Sequence, residues 1–151
     1  NNNSCGIYLS SSSSNTVTGN TCNNNSYGIR LSSSSNNTIT GNTCNNNNNY
    51  GIRLDSSSND NTVIGNTCNN NSCGIRLDSS SNNTVTGNTC IRGTGQTSDY
   101  ASDQYTIRLV GTTNNYNLLS LNNCMGKAVV VEGGTGNSAW GNKFDNTDDL
   151  P

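Results

Sequence analysis

The chain has 151 residues, of which 28% are hydrophobic and 11% are charged, and its formal net charge is -2. An Asn- and Ser-rich composition of this kind is typical of disordered tracts, but here the few apolar residues recur at regular intervals, which disorder does not predict. The scattered Lys and Arg form no basic patch, and no apolar run is long enough to span a membrane. We therefore expect a single folded domain over residues 1-151 that has neither nucleic acid nor a membrane as its partner.

The chain repeats a unit of 22 to 24 residues. The cysteines that close the first four units are Cys22, Cys44, Cys68 and Cys90, at steps of 22, 24 and 22 residues. Two less regular copies follow, so that six units begin near Ile7, Ile29, Ile52, Ile75, Ile107 and Val129. Residues 1-90 hold the near-identical repeats, residues 91-106 are predicted to form an inserted loop, and residues 107-151 are predicted to form divergent coils and a cap.

Within each unit, apolar and polar residues alternate with a period of two, which predicts strands and not helices. In "GIRLD" the Ile and Leu share one side while Arg and Asp share the other, and in "NTVTGNTC" the Val and Cys point inward. Short strands joined by Gly, Asn and Ser turns at this interval predict a β-solenoid whose coils stack about 4.8 Å apart. Stacked columns of Ile, Leu and Val allow such a chain to close a narrow core.

Asparagine recurs at two positions of every unit. The first register contains Asn15, Asn37, Asn61, Asn83, Asn117 and Asn137, and the second contains Asn20, Asn42, Asn66, Asn88, Asn122 and Asn142. An amide side chain both donates and accepts hydrogen bonds, so stacked asparagines can bond from coil to coil and satisfy the turn backbone. We predict a structural role for both registers and no role in ligand binding.

The pattern N-x-[VI]-x-x-N-x-C-x-x-N-x-x-G-I-x-L resembles the repeat of NosD-like proteins and of carbohydrate-binding and sugar-hydrolase (CASH) domains. The resemblance is strong over residues 1-90 and loose over residues 107-144. It implies an all-β fold, a right-handed, single-stranded parallel β-helix of about six coils. It implies little about function, because lyases, epimerases, phage tail proteins and scaffolds all use this fold. We expect an extracellular or cell-surface location.

Five of the seven cysteines are predicted to occupy one inward column: Cys22, Cys44, Cys68, Cys90 and Cys124. Parallel Cβ vectors hold stacked Cβ atoms further apart than a disulfide prefers, so we expect free thiols. Cys5 and Cys73 lie near a corner that carries Tyr in other units. NosD-like proteins are associated with copper, but this chain has no His and no C-x-x-C spacing. We therefore predict no copper site, no zinc site and no other cofactor.

Arginines and acids are predicted to share the outer face of the "GIRLD" strands. The row between the Ile and Leu columns contains Tyr8, Arg30, Arg53, Arg76, Arg108 and Val130, and the next outward row includes Asp55, Asp78 and Glu132. These adjacent rows predict a solvent-exposed lattice of ion pairs, each contributing under ~1 kcal/mol. The alternative is a ligand-binding groove for an acidic polysaccharide, formed by Arg30, Arg53, Arg76 and Arg108 together with Asp55 and Asp78.

A catalytic role for this face would require two carboxylates at a defined separation. Asp55 and Asp78 lie on successive coils, and with Arg76 they are the candidate catalytic residues of a polysaccharide lyase or hydrolase. They belong to a repeated pattern and are expected to face solvent, where neither burial nor crowding shifts a pKa. The sequence therefore favours a non-catalytic role over an enzymatic one.

Threonines form a second regular pattern on the outside of the predicted solenoid. The Thr-x-Thr elements are Thr16/Thr18, Thr38/Thr40 and Thr84/Thr86, with Thr62/Ile64 between them. Stacked in register, they would make a grid of hydroxyl and methyl groups that resembles the surface of ice-binding solenoids. The ordinary strand propensity of β-branched residues produces the same pattern, so ice binding is kept as a second alternative.

The first segment, "NNNSCGI", offers no capping helix, so we expect either that the open first coil pairs with another copy or that the chain was cut from a longer helix. A polysaccharide is the other expected partner. The near-identity of the first four units, set against the less regular last two, indicates recent duplication or consensus engineering. The chain is alternatively expected to be a fragment of a cell-surface or phage-type carbohydrate-associated protein. The function predicted from the sequence is that of a structural, non-catalytic β-helix module.

Overall fold

The computed structural model describes residues 2–91, 105–125 and 129–144, and every regular element in these ranges is a β-strand. The strands are β1 (Cys5–Ser10), β2 (Thr16–Thr18), β3 (Tyr27–Ser32), β4 (Thr38–Thr40), β5 (Tyr50–Asp55), β6 (Thr62–Ile64), β7 (Cys73–Asp78), β8 (Thr84–Thr86), β9 (Tyr105–Val110), β10 (Leu118–Ser120), β11 (Asn123–Cys124), β12 (Val129–Glu132), β13 (Ser138–Trp140) and β14 (Lys143–Phe144). No helix that could cross a membrane is found in the described ranges. The predicted inserted loop and the predicted cap lie largely outside them.

The strands stack in two parallel six-stranded sheets and one shorter face. The longer strands form the first sheet in the order β1-β3-β5-β7-β9-β12, and the three-residue strands form the second in the order β2-β4-β6-β8-β10-β13. The third face consists of β11 paired with β14 and of single parallel bridges that run from Thr21 through Thr43, Thr67 and Thr89 to Asn123. This arrangement confirms the predicted parallel β-helix with six stacked coils.

Equivalent residues lie directly above each other, as the repeat predicts. Ile29 pairs with Ile52 and Arg30 pairs with Arg53, and the same register continues into the next coil. The inward columns are half-buried at Ile7 and Leu9 of the first coil and 40% exposed at Val131 of the last. Between these ends they are fully buried at Ile29, Leu31, Ile39, Ile52, Leu54, Val63, Ile75, Leu77, Val85, Ile107, Leu109 and Leu119. Because the interior is only a few side chains wide, these thin columns are enough to fill it.

Each coil turns at residues in the left-handed conformation. Gly19, Gly41, Gly65 and Gly87 have φ between +62° and +67°, where an L residue costs roughly 1–2 kcal/mol. These glycines divide every "NTVTGNTC" segment between the second sheet and the third face. Asn and Ser occupy most of the other left-handed positions, whereas Leu121 has φ of 56° at the position that holds Gly in other coils.

Asparagine ladders line the inside of the corners. Oδ1 of Asn66 accepts hydrogen bonds from the backbone N and the Nδ2 of Asn42, at 2.9 Å and 3.0 Å. Its own Nδ2 donates to the backbone O of Ile39 at 2.9 Å and to Oδ1 of Asn88 at 3.0 Å. The register that begins at Asn15 bonds in the same way. Coil-to-coil bonding of both predicted registers is therefore confirmed.

Two further ladders were not predicted from the sequence. Backbone N to Oδ1 bonds of 3.0 Å and 2.8 Å connect Asn25, Asn47 and Asn71, and backbone N to hydroxyl bonds of 3.1 Å and 3.2 Å connect Ser34, Ser58 and Ser80. The signal for the asparagines was present, since each lies three residues after a cysteine of the inward column. With these ladders, the backbone N–H groups of Ser34, Asn37, Asn42 and Asn47 all donate to polar side chains of the next coil.

Candidate functional site

The predicted site lies on the outer face of the first sheet. Register pairing places Arg53 between Arg30 and Arg76, and places Arg108 beside Arg76. The flanking Ile and Leu point into the core, so the period-two alternation of the strand directs each guanidinium group outward. We call this surface the arginine face, and it consists of Tyr8, Tyr27, Arg30, Tyr50, Arg53, Asp55, Arg76, Asp78, Tyr105, Arg108 and Glu132.

Each aspartate of the arginine face joins arginines of two coils. Oδ2 of Asp55 accepts a hydrogen bond from Nε of Arg30 at 2.9 Å and lies 3.0 Å from Nε of Arg53. Oδ2 of Asp78 lies 2.9 Å from Nη2 of Arg53, and Oδ1 of Asp78 lies 2.9 Å from Nε of Arg76. The alternating charges form a continuous chain across three successive coils, which confirms the predicted ion-pair lattice.

Tyrosine rings separate the guanidinium groups. Cζ of Arg30 lies 5.3 Å from the ring centre of Tyr8 and 5.5 Å from that of Tyr27. Cζ of Arg53 lies 5.8 Å from the ring centre of Tyr27 and 5.5 Å from that of Tyr50. Cation–π contacts within about 6 Å contribute roughly 0.5–1 kcal/mol at exposed sites, so the rings reduce the repulsion between stacked arginines.

The later coils continue the arginine face with different partners. Nη1 of Arg76 donates a hydrogen bond of 2.7 Å to the hydroxyl of Tyr50. Cζ of Arg108 lies 4.3 Å from the ring centre of Tyr105, and its Nη2 contacts both carboxylate oxygens of Glu132 at 2.8 Å and 2.9 Å. Four guanidinium groups thus face three carboxylates, which leaves one positive charge on the arginine face.

The lattice is less exposed than the sequence predicts. The side chain of Asp55 is 4% exposed and that of Asp78 is 15% exposed, while the arginines paired with them are 22% to 29% exposed. The expectation that both aspartates face solvent is therefore wrong for Asp55. Its carboxylate is covered because Arg30 and Arg53 lie across it and Ser56 donates a further hydrogen bond at 3.1 Å.

The surroundings of Asp55 keep its carboxylate ionised. Burial by itself raises the pKa of Asp55, but hydrogen bonds from Arg30 and Ser32 and the charge of Arg53 outweigh it, so the pKa lies below its ordinary value. The hydrogen bond to Asp55 raises the pKa of Arg30 in turn. A general acid needs a raised pKa, so the shift at Asp55 has the wrong direction for that role.

All seven cysteines are free thiols, as predicted. Cys5 is half-buried, while the other six are buried. Hydrogen bonds to the sulfurs of neighbouring coils, together with burial, raise the pKa of Cys68, and burial raises the pKa of Cys73 and Cys124. A protonated thiol behaves as a small apolar side chain, which is the packing role expected for the column.

A depression of about 270 Å³ lies at the first coil, away from the arginine face. Its lining residues are Asn3, Gly6, Ile7, Asn20, Thr21, Cys22 and Asn25. None of these is ionised at neutral pH, and none belongs to the predicted site. The depression therefore adds no enclosure to the carboxylates that the sequence singled out.

Comparison with known proteins identifies the family and the fold. A family model described as periplasmic copper-binding protein (NosD) matches residues 1–150. A single-substitution variant of the periplasmic alginate epimerase AlgG superposes with a TM-score of 0.66 at 19% identity, covering 93% of this chain and 36% of that chain. A double-substitution variant superposes with a TM-score of 0.61 at the same identity and coverage. No curated protein matches.

The chain spans 36% of the length of these solved structures, and at 19% identity the likeness shows the fold alone. The matched family is described as periplasmic, which is consistent with the predicted extracellular or cell-surface location.

The residues present do not fit the copper named in the family description. Copper(II) favours imidazole nitrogen, and copper(I) favours thiolate or thioether sulfur. The chain has no His, and in the described ranges no group of three or more His, Cys, Asp or Glu side chains could hold a metal ion. Hydrogen bonds to neighbouring sulfurs, together with burial, raise the pKa of Cys68, and burial raises the pKa of Cys73 and Cys124, so these thiols resist ionisation and are poor donors for a metal.

Proposed function

This chain belongs to the NosD family of parallel β-helix proteins, and we propose that it acts as a non-catalytic structural module. The supporting observation is the mutual pairing of the charged groups on the arginine face. Asp55 bonds Arg30 and Arg53, and Asp78 bonds Arg53 and Arg76. Side chains that neutralise each other from coil to coil hold the stack together, whereas catalytic groups must be available to a substrate.

The candidate catalytic residues each lack a property that catalysis needs. Asp55 is covered, and its pKa is shifted downward, away from the range of a general acid. Arg76 already donates to Asp78 and to the hydroxyl of Tyr50, so it is not a free base. Elimination and epimerisation of a uronic acid both begin with removal of a proton by a base. The arginine face supplies positive charge for such a substrate, but each of its three carboxylates is already paired with an arginine.

The test is a search for turnover with a panel of neutral and acidic polysaccharides that includes alginate, with and without calcium. Unsaturated products are followed by ultraviolet absorbance, new reducing ends by a colorimetric assay, and epimerisation by proton NMR. We expect no conversion of any polymer. Turnover that disappears in Asp78→Asn and persists in Asp60→Asn would overturn the proposal, since Asp60 is exposed and makes no ion pair with any described residue.

A second candidate function is binding of an acidic polysaccharide without chemistry. It is favoured by Arg30, which pairs with Asp55 through Nε, while neither of its Nη groups donates to a residue in the described ranges. A guanidinium edge with free donors can bind a carboxylate of a polymer. Because the similar solved structures are alginate epimerases, a polyuronate is the first ligand to try.

Titration with alginate oligomers, followed by NMR shifts or calorimetry, tests this binding. We expect weak, salt-sensitive binding that Arg30→Gln abolishes. Arg108→Gln is the matched control and is expected to retain it, because Arg108 already contacts both oxygens of Glu132. No binding by the unmodified protein, or equal loss in both variants, would remove this candidate.

Self-association through the first coil stays a prediction. Strand β1 is the outermost strand of the first sheet, and it pairs with β3 on one side. A strand edge of this kind can accept a strand of a second copy. Gel filtration across micromolar concentrations tests the prediction, and a monomer at every concentration would contradict it.

A further inference from the structure

The outer side of the second sheet carries two columns of threonine. The columns come from the first and third residues of strands β2, β4, β6 and β8, which pair in parallel and in register. We call this surface the threonine face, and it consists of Thr16, Thr18, Thr38, Thr40, Thr62, Ile64, Thr84 and Thr86. Seven of its eight positions are Thr, and no charged side chain lies on the four strands.

The threonine face is a two-dimensional lattice. Positions two residues apart lie on the same side of a strand and are separated by about 6.6 Å, and positions on adjacent coils are separated by about 4.8 Å. The asparagine ladders at both ends of each strand fix the coils to one another, so the lattice repeats without a change of register. Ladders of identical side chains are also what keeps a stacked sheet flat.

The hydroxyl groups of this lattice are available to solvent. Thr86 contacts the hydroxyl of Ser120 at 3.1 Å. The other six threonine hydroxyls make no hydrogen bond to any residue in the described part of the chain. Thr16 and Thr18 are exposed, and the threonines of β4, β6 and β8 are half-buried because neighbouring coils pack beside them. Six of the seven threonines therefore carry a hydroxyl group that has no partner in the described residues, at positions that the strand register repeats from coil to coil.

From this lattice we propose that the threonine face binds ice. Water that is hydrogen-bonded to these hydroxyls would take the repeats of the lattice, about 6.6 Å along a strand and about 4.8 Å between coils. A surface of this kind adsorbs to a growing crystal and stops its growth locally. Strand propensity accounts for threonine in a strand, but it requires neither the absence of charge nor the same residue type in both columns over four coils.

The sequence of the later coils limits the extent of the lattice. Leu118 and Ser120 follow Thr84 and Thr86 in register, and Ser138 and Trp140 follow them. Trp140 is 54% exposed and interrupts the array with a bulky ring. We therefore assign ice binding to the first four coils, in which Ile64 is the one position of the threonine face that lacks a hydroxyl group.

The experiment measures thermal hysteresis and ice-crystal shape with the purified full chain. We expect measurable hysteresis and faceted crystals. Thr40→Tyr, which places a ring in the middle of the threonine face, is expected to lose hysteresis. Thr43→Tyr is the matched control, since Thr43 lies on the same coil but on the third face, beyond Gly41 (φ 62°). It is expected to keep the hysteresis of the unmodified chain.

A variant that is expected to gain activity distinguishes loss of ice binding from loss of the fold, because a misfolded protein would not gain hysteresis. Ile64→Thr completes the lattice at a position that is 38% exposed, so it is expected to raise hysteresis at equal protein concentration. Circular dichroism and the melting temperature show whether each variant retains the fold. The inference is overturned if the folded, unmodified chain shows no hysteresis or crystal faceting. It is equally overturned if Thr43→Tyr abolishes the effect while Thr40→Tyr preserves it.

Discussion

Nε of Arg30 lies 2.9 Å from Oδ2 of Asp55, although the two residues are 25 positions apart in the sequence. The contact exists because the repeat places consecutive coils in register and directs both side chains outward. The fold creates the arginine face, and the arginine face in turn stabilises the fold, since each aspartate neutralises one arginine of its own coil and one of the coil before it. The proposed structural role rests on this reciprocity.

The first prediction concerns the pH dependence of stability. The pKa of Asp55 in the folded chain lies below its ordinary value of 3.8, so its contribution is fully present above that value and is lost as the pH falls through the folded pKa. Urea unfolding between about pH 2 and pH 6 is expected to show a loss of stability in this acidic window. Asp55→Asn is expected to be less stable at neutral pH and to lose less on acidification.

Asp60→Asn is the control for the pH experiment, because Asp60 is exposed and Asn occupies the equivalent left-handed position at Asn36 and Asn82. Its stability is expected to stay within about 0.5 kcal/mol of the unmodified chain. If the unfolding free energies of Asp55→Asn and of the unmodified chain vary with pH in the same way, the arginines do not stabilise the ionised carboxylate of Asp55, and the prediction is wrong.

The second prediction concerns the asparagine ladders. Asn66→Ala removes the acceptor of the Asn42 backbone N and the donor to the backbone O of Ile39, both inside the solenoid. Each buried group left without a partner costs roughly 1–3 kcal/mol, so a loss of several kcal/mol in unfolding free energy is expected. Asn20→Ala, in the same register at the first coil, is expected to cost much less. Equal losses in the two variants would contradict the ladder as a source of stability.

The third prediction concerns a strained corner. Leu121 has φ of 56° and is 58% exposed, at a position where Gly87 and Gly141 have φ of 62° and 64°. Leu121→Gly removes the steric cost of the left-handed conformation and is expected to raise the unfolding free energy by about 0.5–1 kcal/mol. Leu121→Ala retains a Cβ and is expected to give no such gain. Thermal or urea unfolding distinguishes the two, and stabilisation by alanine alone would refute the explanation from φ.

The fourth prediction concerns the thiols. Six cysteines are buried, and burial contributes to the raised pKa of Cys68, Cys73 and Cys124, so alkylation of the folded chain is expected to modify Cys5 alone. In denaturant all seven are expected to react. Mass spectrometry after each treatment gives the count. Rapid modification of Cys68 without denaturant would mean that the column is open to solvent.

The sequence was sufficient to predict the parallel β-helix, because each column requires the same residue type in every coil. The Ile and Leu columns, two asparagine registers and the cysteine column could all be deduced from a spacing of 22 to 24 residues. Alternation along a strand also predicts that Arg30 and Asp55 point outward. It does not predict how far a long side chain folds back across its neighbour, which is why the burial of Asp55 was missed.

The remaining ladders were missed for a different reason. Ser34 lies in a tract of consecutive Ser, where composition does not reveal which residue points inward, and only the left-handed corner at Ser33 fixes that orientation. Asn25 could have been identified from its constant place three residues after Cys22, a signal that the Asn tract around it obscured. The stacking of tyrosine rings against guanidinium groups was not predicted either. Alternation along a strand shows which face a side chain lies on, but not in which direction it extends across that face.

A double-mutant cycle between Arg30 and Asp55 tests the central claim most directly, because only in-register stacking brings them together. Unfolding free energies are measured for the unmodified chain, Arg30→Met, Asp55→Asn and the double variant. A coupling energy of about 1–3 kcal/mol is predicted, while the control cycle of Arg108→Met with Asp55→Asn, two coils apart, should be additive to within about 0.5 kcal/mol. A coupling between Arg30 and Asp55 no larger than that of the control would contradict the account.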